Sequence, residues 1–128
     1  MATRTIKATL DTFSVDAGSE ITYLGNSTAS TTGGLDFRAF RVNPGTTGDI
    51  IVTIDRSSGL TTMEIFQEDA YTAGSAPTGY QKFANIVKDG KGKGVVAVTV
   101  TDASKDYVVL LNFDGYSEIS YNGRVVVP

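Results

Sequence analysis

The stretch from Val95 to Val127 constrains the fold more than any other part of the chain. It reads VVAVTVT, a polar DASK, then DYVVLLNF, a loop DGYSEIS, and a last run YNGRVVV. Runs of β-branched and aromatic residues between Asp, Ser, Asn and Gly clusters are the pattern of consecutive antiparallel strands, because branched side chains pack well on a pleated surface. The gap at Asp102–Lys105 has the size of a hairpin loop, so the first two runs are expected to pair directly. Tyr107, Val109, Leu111 and Phe113 form the expected core face of the middle run.

The chain before this unit repeats the same alternation. Ile6, Ala8 and Leu10 share one face of a strand placed near a sheet edge, Phe13 and Val15 continue it past a bend, and Ile21 and Tyr23 start another with Leu24 facing the other way. Residues 26–34 (NSTASTTGG) are small, polar and aperiodic and read as a loop, in which the glycosylation spacing of Asn26-Ser27-Thr28 is a chance match. Phe40 with Val42, then Ile50, Val52 and Ile54, then Met63 and Ile65 supply further apolar stripes. Asn43-Pro44-Gly45 is a turn, since Pro presets one dihedral and Gly accepts positive φ. Arg56-Ser57-Ser58-Gly59 is read as the end of the Ile50 strand, and Glu64 and Phe66 as the face opposite Met63. Residues 68–94 are irregular, and Tyr80, Phe83, Ala84 and Val87 fit one face of a short helix about as well as Phe83, Asn85 and Val87 fit a strand.

These short strands without βαβ alternation predict an all-β domain of two packed antiparallel sheets, about eight strands in all. At 128 residues the chain has the size of one domain, residues 1–34 adding N-terminal strands and a polar loop to a core sandwich over 35–128. From Phe37 onward it resembles the jelly-roll β-sandwiches of the bacterial pre-peptidase C-terminal type. The resemblance is carried by FRAFRVNPGTTGDIIVTID, LTTMEIFQEDA and DYVVLLNFDGYSEISYNGRVVV. It implies a jelly-roll-like fold and brings no catalytic residue with it. That family forms appendages of larger secreted enzymes, whereas this sequence begins with Met and its first residues do not read as a secretory signal, so no leader is expected.

Composition removes most chemistry. With no Cys and no His, thiol nucleophiles, thiolate metal sites and the commonest general base are all missing. A net charge of −3 argues against nucleic acid, and no apolar run approaches the roughly 20 residues that span a bilayer, so neither nucleic acid nor membrane is an expected partner. Carboxylates are plentiful, but Asp16, Asp89 and Asp114 sit in turn contexts where the side chain caps backbone. Glu68-Asp69 is the best remaining pair for catalysis, and the expectation is no enzyme.

Calcium fits the hard oxygen donors better. Asp102 and Asp106 flank one turn and Asp114 lies in the neighbouring loop, which makes these three the candidate ligands, although the EF-hand spacing is absent. Lys88, Lys91 and Lys93 between glycines look like a phosphate cradle, yet Gly94 leads into a strand and not a helix, so a hairpin loop is the better reading. Tyr71, Tyr80 and Phe83 are the candidate partner-binding residues, since strand alternation does not account for them and aromatic side chains anchor interfaces and stack on sugars.

Elimination leaves a non-enzymatic role. The first expectation is a structural protein of the virion, a phage or virus capsid decoration (cement) component. Such a protein would assemble as a homo-oligomer, a trimer for example, and clamp a larger capsid shell. The alternative is an extracellular carbohydrate- or protein-binding β-sandwich module stabilised by calcium.

Overall fold

The computed structural model describes residues 1–9, 12–25, 36–57, 60–68, 81–82, 85–87, 93–113 and 120–128. Its strands are β1 (Ala2–Thr9), β2 (Thr12–Val15), β3 (Ile21–Gly25), β4 (Asp36–Val42), β5 (Gly48–Ser57), β6 (Leu60–Gln67), β7 (Gln81–Lys82), β8 (Asn85–Val87), β9 (Lys93–Val100), β10 (Tyr107–Phe113) and β11 (Ser120–Val127). One antiparallel sheet has the order β2-β1-β11-β5-β9-β8 and the other β3-β4-β10-β6-β7. The fold is an all-β, two-sheet sandwich, as the alternation predicts.

The period-2 stripes meet between the sheets. Ile6 and Ala8, Ile50, Val52 and Ile54, Val96, Val98 and Val100, and Val125 and Val127 face inward from the first sheet. They pack against Phe40 and Val42, Met63 and Ile65, and Tyr107, Val109, Leu111 and Phe113 of the second. Gly45 has φ 71°, the value its turn requires, and leaves room for β4 to cross to β5 in the opposite sheet.

The expected hairpin over Asp102–Lys105 does not form. Strand β9 belongs to the first sheet, β10 to the second and β11 to the first again, so each connection crosses the sandwich. The reason lies in the stripes: Val96, Val98 and Val100 on β9 and Tyr107, Val109 and Leu111 on β10 are all buried in one core, which facing layers satisfy. Within the turn, Asp102 accepts hydrogen bonds from the Ser104 backbone N–H (3.0 Å) and hydroxyl (2.6 Å), an Asx-type arrangement that reverses the chain without pairing the flanking strands.

Two further expectations change. Strand β5 continues through Arg56 and Ser57, which pair with Asn122 and Tyr121 across a bulge. Residues 81–82 and 85–87 are short strands, β7 on β6 and β8 on β9, which removes the helical reading there. Strand β1 lies one strand in from the edge, which β2 takes, so its expected place near an edge holds.

Part of the outer face of the second sheet is also buried. Ala39, Phe66, Val108 and Leu110 form a second apolar cluster with Leu24 against it, and Glu64 on the same face is fully buried. The unbroken apolar run VVLL in β10 carries the signal, because a strand covered on both faces loses its alternation.

Candidate functional site

The described carboxylates are largely occupied. Glu20 receives the Arg4 guanidinium in a bidentate pair at 3.0 Å, and Glu68 receives that of Arg41, with Nε at 2.8 Å. Hydrogen bonding from Arg4 holds the Glu20 carboxyl below its ordinary range. Asp49 accepts the Thr99 hydroxyl at 2.8 Å, and both oxygens of Asp55 accept from Arg124 Nη1 at 2.9 Å. Glu68 is therefore bound to Arg41, and its sequence neighbour Asp69 lies outside the described residues.

The candidate calcium ligands are not gathered by what is described. The Asp102 carboxylate is engaged by Ser104, and its pKa is lowered by that bonding. Asp106 gives its carbonyl to the Glu68 N–H at 2.9 Å, while Asp114 lies outside the described residues. Among the described residues no three His, Cys, Asp or Glu side chains converge on a point that could hold a metal ion. The candidate partner-binding aromatics Tyr71, Tyr80 and Phe83 also lie outside the described residues, as do Lys88 and Lys91 of the basic loop.

A different set of residues comes together on the first sheet. Antiparallel register places Lys7 of β1 opposite Asn122 of β11, and Asn122 opposite Arg56 of β5. All three are exposed. Around them lie two shallow hollows that share Arg56. The first, about 260 Å³, is lined by Lys7, Ala8, Arg56, Ser120, Tyr121 and Asn122. The second, about 490 Å³, is lined by Asp55, Arg56, Ser57 and Lys93.

The strand ladder makes this row rigid. The bulge between Asn122 and Gly123 shifts the pairing with β5, so Asp55 falls between Ile54 and Arg56 and points to Arg124. Gly123 permits the close approach: a Cβ there would collide with the Thr53 carbonyl oxygen. Beneath the row the Tyr121 ring stacks on Phe113, with centroids 5.6 Å apart, and its buried hydroxyl has no hydrogen-bond partner among the described residues. Burial raises the Tyr121 pKa, so the phenol stays protonated.

The chemistry available is recognition. The row offers cationic and amide donors and hydroxyl groups carried at strand spacing. Sequence inspection misses it because Lys7, Arg56 and Asn122 are each an ordinary outward polar residue, brought together only by register.

No family model matches the chain, and no curated protein matches it in sequence. Among solved structures, it is similar to a carbohydrate-binding module, CBM36, in complex with calcium and xylotriose, at 15% identity and TM-score 0.37, covering 95% of this chain and 98% of that one. It is also similar to CBM35 from Paenibacillus barcinonensis, at 13% identity and TM-score 0.38, with the same coverages of 95% and 98%. A third likeness is to a Podospora anserina GH26-CBM35 beta-(1,4)-mannanase, at 12% identity and TM-score 0.34, covering 97% of this chain and 28% of that one. Likenesses at this level transfer neither a ligand nor a role.

Proposed function

We propose that the protein is a non-catalytic carbohydrate-binding β-sandwich module acting outside the cell. The observation that supports this is the row of Lys7, Asn122 and Arg56 along two adjoining hollows of one sheet. Sugar rings present hydroxyl groups at close intervals, and amide and guanidinium groups carried on neighbouring, already ordered strands are suited to meet them. Affinity electrophoresis against a panel of polysaccharides tests the reading. Retardation by at least one glycan, relieved in Asn122→Ala, is expected, and unretarded migration in all of them rejects the module.

A second reading, the structural protein of a virion that assembles with itself and with a shell, is favoured by one observation. Val95 is 44% exposed on the outer face of the first sheet, which also carries the partly exposed Ile51 and Val126. Sedimentation at high concentration separates the two readings. A closed oligomer that Val95→Glu dissociates supports assembly, and a monomer at all concentrations removes it.

A further inference from the structure

We infer that the ligand of the Lys7–Asn122–Arg56 row is an acidic polysaccharide, one bearing carboxylate or sulfate groups along its length; the inference rests on the carbohydrate-binding reading above. Charge is the first argument. The chain as a whole carries −3, yet Lys7, Arg56 and Lys93 line the two adjoining hollows. The single carboxylate lining them among the described residues, Asp55, is neutralised by Arg124. Lys7 and Arg56 are exposed and make no ion pair with any described residue.

Geometry is the second argument. Lys7 and Arg56 stand on strands separated only by β11, and neighbouring strands lie about 4.8 Å apart, which sets the backbone positions that carry the two cations roughly 10 Å apart across the sheet. The β9 residue Lys93 extends the row one strand further. The row thus runs across the strands as a line of separated positive charges with Asn122 and Ser120 between, matching a polymer whose charges recur at intervals with hydroxyl groups in between. Single-stranded nucleic acid fits poorly, since among the described residues lining the hollows no aromatic side chain is exposed for a base to stack on.

The test uses the whole chain in native gels containing alginate, dextran sulfate or neutral dextran, with a DNA oligonucleotide as competitor. Retardation by alginate or dextran sulfate but not neutral dextran is expected, weakening with added salt. Which polyanion retards more identifies the carboxylate or the sulfate as the group read. In the double variant Lys7→Ala/Arg56→Ala, affinity should fall roughly tenfold, as two surface charge contacts imply, while Lys105→Ala at the other end of the sandwich should leave it unchanged. Equal retardation by neutral dextran, insensitive to the double variant, overturns the inference and leaves the carbohydrate-binding reading standing. Absence of retardation in every gel overturns the inference, while the carbohydrate-binding reading falls only if the wider polysaccharide panel is silent too. Displacement by DNA at matched charge overturns the inference by reducing the row to a general polyanion sink. Circular dichroism of the double variant confirms that any loss is not unfolding.

Discussion

Gly123 on β11 lies directly against the carbonyl oxygen of Thr53 on β5, closer than any side chain could allow. That contact lets the two strands approach at the bulge that carries Asn122 and Arg56. In Gly123→Ala the added methyl must push the strands apart, and overpacking of this kind costs about 1–3 kcal/mol. Urea denaturation should show a lower midpoint with an unchanged slope, and any glycan binding by the row should weaken with it. A wild-type midpoint would mean that the approach is not tight.

Leu111 faces the core between the sheets, and Leu110 faces the outer cluster with Phe66 and Val108; both are fully buried. Simple alternation would make Leu110→Ala harmless. Burial on both faces instead predicts a loss of about 2–5 kcal/mol for either substitution. Chemical denaturation of the two variants side by side checks this.

The Arg4–Glu20 pair ties β1 to the segment before β3. Since Arg4 lowers the Glu20 pKa below its ordinary 4.5, the folded state binds that proton less readily than the unfolded chain. The stabilisation is therefore complete above pH 4.5 and is lost as pH falls below it through the depressed value. Wild type should melt above Glu20→Gln at pH 7, and the gap should close in acid. A gap independent of pH would show that the pair contributes nothing through its charge.

Asp55 is exposed, so its pair with Arg124 should matter little to folding, within about 1 kcal/mol. Its removal should matter more to the row. Asp55→Asn removes the carboxylate next to Arg56, frees Arg124 from its pair, and should tighten binding to an acidic polysaccharide, a gain measurable in the same gels.

Asp102 organises the turn between β9 and β10 through Ser104. Asp102→Ala should therefore lower the melting temperature equally in calcium and in EDTA. A loss seen in calcium alone would make Asp102 a metal ligand.

The stripes of Ile50, Val52 and Ile54 and of Tyr107, Val109 and Leu111 were legible in the sequence, because side-chain period and burial are linked within a single strand. Partnership between strands was not. Nothing local distinguishes a hairpin over Asp102–Lys105 from a crossing between layers, since the same polar turn serves both. Arg56 looked like the residue after a strand because it is polar, yet backbone pairing with Asn122 holds it inside one. The candidate site shares this difficulty: Lys7, Arg56 and Asn122 are far apart in the chain, and only the order β1-β11-β5 makes them neighbours.

The passage of the chain from β9 to β10 to β11, changing sheets at each step, also bears on how the molecule reaches its native state. Strand β10 must find β4 and β6, and β11 must find β1 and β5, all distant in sequence. None of these pairings can be nucleated by a local turn, so much of the chain must be collected before the central ladders gain anything. Such a topology folds slowly and, once formed, gives way as a unit, because neither sheet can leave without dragging the other's strands through the core.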